Sequence, residues 1–475
     1  MRRFHVSAVL AILLGTALLS GCGGPDDSDS NVLRVGTEGT YAPFSYHDPE
    51  TGDLTGYDVD VIKAIAEKLG RRVEFVESPW RSIFQNLETD RFDVVANQVS
   101  VNDERKARYD LTDVYVQTDG VIVVRADDDR IKGVADLSGK TAGQTSTSNW
   151  ADSARGAGAK VEDVDGFTEA VQILKDGRID FIINDNLAVL NYLAQHPDSG
   201  LKTVGVVGEQ SSQAFALRKN SPLTADINKG LEDIRADGTL EEIGDKYFNP
   251  EPKQTRSTLQ LVKDTLWPLA KSALKGTIPL TAISFVLGLV IALAVALARL
   301  SPIKPLSWLA RVYISLIRGT PLLVQLFIIF FALPQAGITI DPFPAAVIAF
   351  SLNVGGYAAE IIRAAILSIP RGQWEAAETI GMDYRTSLRR IILPQALRTA
   401  VPPLSNTLIS LVKDTSLAST ILVTEILRTA QIAAAPSFEF FALYGTAALY
   451  YWVICLVLSF GQGKLEHRLD RYIAK

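Results

Sequence analysis

Ser138-Gly139-Lys140-Thr141 ends like a phosphate-binding loop, in which backbone amides and a lysine cradle nucleotide phosphates. The full pattern, G-x-x-x-x-G-K-[ST], needs a glycine at position 134, and the nearest one, Gly133, lies one residue too far upstream. The stretch therefore reads as a turn before a strand, and no complete nucleotide-binding motif is present. Cys22 and Cys455 are the only cysteines, so no disulfide framework can form. On spacing alone, Arg105, in the charge-rich VNDERKARYD, reads as a solvated arginine, and Asp185 as a turn or helix-cap aspartate. EAAETIGMDYRTSLRRIILP (375–394) places acids, then arginines, then a closing proline between two long apolar segments. By itself it describes an amphipathic helix at a membrane surface.

The surrounding elements divide the chain. Its 475 residues suit two or three domains, and a net charge of -6 excludes a basic nucleic-acid-binding surface. MRRFHVSAVLAILLGTALLSGCGG begins with two arginines, continues through an apolar core and ends in small residues, the layout of an export signal. Leu19-Ser20-Gly21-Cys22 resembles the bacterial lipobox, which implies cleavage after residue 21 and acylation of Cys22. Residues 22–31 then form the acylated cysteine and a polar, flexible tether to membrane lipid.

From 32 to 250, strand-like runs such as LRVGT, VEFVE and FDVVANQV alternate with helical patterns such as YDVDVIKAIAEKL, which Gly70 ends. This alternation predicts an α/β fold with a mostly parallel sheet. A second unit of the same kind begins near residue 121, and the chain returns to the first near 210. The expectation is two lobes, 32–120 with 210–250 and 121–209, hinged to close on a ligand.

Residues 251–267 read as a linker, and 268–475 as an all-α membrane domain. Apolar runs at 272–298, 320–336, 343–367, 396–422 and 439–460 predict about five crossings, the fourth interrupted by Pro402 and Pro403. If the α/β domain lies outside, the inner loops hold Arg299, Lys304, Arg311, Arg318, Arg371, Arg385, Arg389 and Arg390, whereas the outer LPQAGITIDPFP has no Lys or Arg. That is the positive-inside distribution of a multi-pass protein of the cell membrane. Glu360 and Arg363 stand within the third span, where charge is costly.

YAPFSY (41–46), GYDVDVIKAIAEKLG (56–70), NQVSVNDERKARYDLTDVY (97–115) and GRIDFIINDN (177–186) together resemble the periplasmic-type binding proteins for polar amino acids. The resemblance implies a two-lobed α/β fold and an amino-acid ligand. It also implies roles for particular residues. Arg105, helped by Ser100 and by Thr147 of the second lobe, would hold the α-carboxylate through the two parallel hydrogen bonds a planar guanidinium can make. Asp185 would hold the ammonium, and Tyr41 and Trp80 would flank the ligand. NQV (97–99) and TSNW (147–150) resemble cystine-binding members more than glutamine or histidine binders.

Glu375-Ala376-Ala377, Gly381 and Ile391-Ile392-Leu393-Pro394 match the permease signature of bacterial ABC importers at every spaced position. SLIRGTPLLVQLFIIFF (315–331) and SLNVGGYAAEIIRAAI (351–366) resemble the polar-amino-acid permeases. In that family the loop, here 370–394, docks on a separate ABC ATPase subunit. The resemblance thus implies a receptor fused to its permease, paired most simply as a homodimer, with ATP and Mg bound by the partner ATPase and no cofactor or enzymatic activity in this chain. A ligand-gated channel or a membrane amino-acid sensor could use the same receptor fold. The first would need a pore loop and the second a cytoplasmic output domain, and neither is legible here.

Overall fold

The computed structural model describes residues 31–48, 51–248 and 257–470. The signal segment and Cys22 lie outside them.

In the first lobe, strand Val32–Thr37 pairs in parallel with Arg72–Glu77 on one side and Val94–Ser100 on the other. Helix Tyr57–Lys68 covers this sheet with Tyr57, Val61, Ile62 and Ile65, which are buried with Leu33, Val35 and Phe44. Asp58 and Asp60 lie in its first turn and Lys68 in its last, signs that suit the helix dipole. Gly56 precedes the helix at φ 131°, and a Cβ there would stand 2.3 Å from the Phe44 carbonyl oxygen.

Two strands run between the lobes. The long strand Leu201–Arg218 pairs with Val94–Ser100 near its end and with Val116–Arg125 over the rest. Val116–Arg125 also pairs with Ile182–Asp185 in the second lobe. All of these pairings are antiparallel, so the main sheet is mixed rather than mostly parallel. The cause is topological: parallel pairing survives where a helix returns the chain within a lobe, as in 32–100, whereas the crossing strands traverse the hinge in opposite directions. The expected phosphate-loop decoy is a turn, and Thr141–Gln144 is the strand that follows it.

The second half is helical. Thr258–Leu300, Pro342–Leu367 and Phe440–Arg468 are each long and apolar enough to cross a bilayer. Two bent pairs, Lys304–Gly319 with Leu322–Ala336 and Tyr384–Ile421 with Ile426–Ser437, raise the number of spans to five if each pair counts as one. Its apolar helices make this a membrane protein. Gly288 allows Thr258–Leu300 and Pro342–Leu367 to approach closely, since a Cβ there would lie 2.6 Å from Val354.

Three segments differ from expectation. The described part of the linker is helical: Ser257 caps helix Thr258–Ser272, which runs through a π turn into the first span. The presumed loop after residue 300 contains the amphipathic helix Lys304–Gly319, whose Tyr313 hydroxyl donates to the Leu352 carbonyl at 2.7 Å. Pro402 and Pro403 do not break Leu393–Asp414. Glu360 and Arg363 form an intrahelical ion pair at 2.8 Å.

Candidate functional site

One cleft between the lobes is lined by Tyr41, Trp80, Ser100 and Asp185, together with Glu38, Asn97, Gln98, Asn184 and Gln213. The lobes are in contact across it. The Tyr41 hydroxyl of lobe one donates to Asn184 Oδ1 of lobe two at 2.9 Å. Arg81 of lobe one reaches Asp163 at 2.7 Å and Asp165 at 3.0 Å in lobe two.

Arg105 is not among the lining residues, but it touches two of them, Ser100 and Trp80. Its backbone is fixed by Asn102, which caps helix Asp103–Arg108. Its guanidinium donates to the Ser100 carbonyl at 2.8 Å and lies 5.3 Å from the Trp80 ring and 5.4 Å from that of Phe84. Only 7 % of its surface is exposed, and it forms no ion pair among the described residues. Burial pulls its pKa down to about 10, the mark of a cation without an adequate counter-charge. Two rings and one carbonyl satisfy part of a guanidinium; a carboxylate would complete it.

Asp185 stands at the end of strand Ile182–Asp185 and caps the helix that follows, accepting from the Leu187 amide at 2.9 Å. Burial pushes its carboxyl up to about 6, against the opposing pull of the Thr118 hydroxyl and the Leu187 and Ala188 amides. Its Oδ2 makes no hydrogen bond of good geometry. The same holds for Gln98 Oε1, Asn184 Nδ2 and Gln213 Oε1, all buried and all lining the cleft. Buried polar atoms are seldom left unpaired. Four around one cavity describe a surface that a polar ligand completes.

Thr147 is exposed and is not among the lining residues; Thr145, Ser148 and Asn149 of the same loop face the cleft. Four further residues were given no individual role in the sequence reading, although Asn97, Gln98 and Asp58 lie within stretches that carried the resemblance. Glu38 follows the first strand, and burial pushes its carboxyl up to about 7, although it retains surface that a ligand can touch. Asn97 accepts from the Glu38 amide at 2.8 Å. Gln98 has φ 49°, a left-handed conformation that is uncommon outside glycine. Asp58 holds it there, accepting from its amide at 2.6 Å and its side-chain nitrogen at 3.0 Å. A strained residue clamped by a buried carboxylate is a frequent feature of ligand sites. A lone glutamate in a turn and an NQV strand carry no spacing that would have revealed this.

At the far end of the molecule, helix Arg371–Thr379 carries Glu375 and Ala376 on its exposed side and buries Ala377. Gly381 closes the helix at φ 78°: its amide donates to Glu378 and that of Met382 to Ala377, the paired bonds of a Schellman cap. Trp374 stacks on Tyr384 with ring centroids 5.4 Å apart. Ile380 and Tyr384 are 73 % and 63 % exposed, an uncovered apolar pair beside the small Ala376.

Residues 33–250 match the family of bacterial extracellular solute-binding proteins, family 3. Residues 284–471 match the inner-membrane components of binding-protein-dependent transport systems. The L-cystine transport system permease protein TcyB of Bacillus subtilis (strain 168) is 56 % identical over 48 % of this chain and 100 % of its own length. The chain is an amino-acid ABC transporter component that joins binding protein and permease. The L-cystine-binding protein TcyA of the same organism is 43 % identical over 51 % of this chain and 96 % of its own length. A solved ancestral arginine-binding protein bound to arginine is 40 % identical over 46 % of this chain and 99 % of its own, with a TM-score of 0.44. The two halves of the transporter component thus have separate relatives, each covered almost end to end.

Proposed function

We propose that this fused receptor-permease takes up L-cystine from the outer side of the cell membrane, driven by a separate ABC ATPase subunit. The observation that carries the proposal is the charge layout of the cleft. Arg105 offers a buried cation without an ion-pair partner, while Asp185 and Glu38 offer two carboxyls raised by burial. An α-amino acid supplies a carboxylate for Arg105 and an ammonium for Asp185. Cystine adds a second ammonium together with a second carboxylate; the ammonium suits Glu38 and lowers the cost of burying that carboxyl in its charged form. The cystine names of relatives to both halves support the same ligand.

Ligand held between the lobes favours their closure. The receptor stays beside its permease through the polypeptide itself and through acylated Cys22, so capture does not wait on diffusion of a free receptor. Two copies of the permease domain enclose the pathway as a homodimer. Helix Arg371–Thr379, with Glu375, Ala376, Ala377 and the Gly381 cap, docks on the ATPase; exposed Ile380 and Tyr384 belong to the same contact. Closure of the ATPase around ATP then moves these helices and switches the pathway between its two faces.

The test is equilibrium binding of labelled cystine, arginine and glutamine to the full chain in detergent. Cystine should bind most tightly. Tighter binding of glutamine, which has a single cation, would remove the assigned role of Glu38; tighter binding of arginine, whose guanidinium is also a second cation, would overturn cystine as the ligand; and no binding of any amino acid would overturn the whole reading.

A further inference from the structure

Helix Ile426–Ser437, the second arm of the bent pair that begins at Tyr384, and the Phe438 that ends it touch both receptor lobes. At the start of the helix, Arg428, 7 % exposed, donates to Glu77 of lobe one at 2.5 Å. Glu77 is fixed from its other side by His47 at 2.8 Å and lies against Gly39, where a Cβ would stand 2.9 Å from its Oε2. Gly39 adjoins Glu38 of the ligand cleft. At the other end, the Phe438 ring packs on Tyr192 and His196 of lobe two, with centroids 4.5 and 5.2 Å away. His196 also reaches the Ser437 carbonyl at 3.4 Å. The 12 residues span roughly 18 Å, and a rigid helix of that length holds its two grips at a set separation.

Two further observations mark this helix as more than a tether. Phe438 adopts φ 57°, a left-handed conformation that bulky residues rarely take, and its ring packs into lobe two. The base of the helix is built into the spans. Glu425 caps it, accepting from the Arg428 amide at 2.7 Å and from the Tyr451 hydroxyl of the last span. Gly276 of the first span packs on the preceding turn, where a Cβ would lie 2.2 Å from the Thr424 carbonyl oxygen.

We propose that helix Ile426–Ser437 with Phe438 is a gauge of receptor closure: Arg428 on Glu77 and Phe438 on Tyr192 and His196 engage together only when the lobes are shut, and the helix passes that state to the first and last spans. The proposal rests on the receptor-permease reading above. If the lobes open, their separation changes while the helix stays rigid, so one grip must release. By linkage, a docked gauge stabilises the closed lobes and tightens ligand binding by the same factor with which ligand tightens docking.

The experiment is equilibrium binding of labelled cystine to the full chain in nanodiscs. Arg428→Gln, Glu77→Gln and Phe438→Asn, the last tolerant of a left-handed backbone, should each weaken binding about tenfold, within the roughly 5- to 150-fold range of ordinary coupling between sites. Because either release uncouples the gauge, Arg428→Gln combined with Phe438→Asn should bind no more weakly than the weaker single variant. Unchanged or tighter binding in the single variants, or losses that multiply in the double variant, would overturn the gauge. Failure of the wild-type chain to bind any amino acid would instead overturn the receptor reading and the gauge with it, so the two failures are distinguishable.

Discussion

Replacing Arg105 with alanine tests the chemistry of the cleft at its most exacting point. The fold holds this guanidinium in a dry site, where burial penalises the charged form and pulls its pKa down to about 10. A bound carboxylate removes that penalty and gains paired, charge-assisted hydrogen bonds. In Arg105→Ala the ligand must bury its carboxylate without a partner. Truncation of one member of such a pair costs about 2–5 kcal/mol, or about thirty-fold in affinity at the least. Arg105→Lys should fall between, since it restores charge but not the planar fork. The Asn102 cap bonds the residue-105 amide rather than its side chain, so the variant should keep its helix and melt within a few degrees of wild type. Isothermal titration of the full chain with cystine, paired with thermal unfolding, measures both effects. A folded Arg105→Ala that binds within about threefold of wild type would refute the placement of the carboxylate.

Asp185 and Glu38 must be ionised to hold ammonium groups, and burial raises both, to about 6 and about 7. Their protonation as pH falls should weaken cystine binding by about tenfold or more between pH 7 and pH 5; a flat profile would contradict their roles, and Asp185→Asn should flatten the part centred near 6. Gly381→Leu forces a side chain onto a left-handed backbone at φ 78°, so it strains the cap of helix Arg371–Thr379, although the added Cβ meets nothing within 4 Å in this chain. Ligand-stimulated ATP hydrolysis should be lost while cystine affinity stays at the wild-type value; normal stimulation at equal expression would remove this loop as the coupling element. Cys22→Ser should abolish incorporation of labelled palmitate while the chain remains in the membrane fraction, and label in the variant would show that acylation occurs elsewhere.

The large divisions of this chain were legible because they rest on long-range statistics of side-chain type. Alternating strand and helix periods marked the receptor, and the Glu375-Ala376-Ala377 and Gly381 spacing marked a helix with a glycine stop. Shorter elements were harder. Helix Lys304–Gly319 mixes Lys304, Arg311 and Arg318 with Trp308 and Leu309, so its positive charge read as loop. Helix Ile426–Ser437 is short and ends in Ala-Pro-Ser, and only its contacts with the receptor give it meaning. Pro402 and Pro403 suggested a break that neighbouring helices make unnecessary. Tyr41, Trp80, Ser100 and Asp185 of the cleft could be placed by motif, whereas Gln98 and Asp58 lie inside matched stretches without their roles being legible, and Glu38 lies outside them. Their importance comes from burial, strain and convergence from separate strands, none of which has a sequence period. Thr147 shows the reverse limit: in a loop, a shift of one or two residues decides which hydroxyl faces the cavity.

The central claim is that receptor and permease form one ATP-driven importer of cystine. Its most direct test is uptake of labelled L-cystine by cells of the source bacterium lacking this gene, complemented with wild type, Arg105→Ala or Gly381→Leu and assayed with and without depletion of cellular ATP. The account predicts accumulation with wild type only, lost on ATP depletion and competed by unlabelled cystine. Wild-type uptake that persists without ATP, or restored uptake by Gly381→Leu equal to wild type, would contradict it.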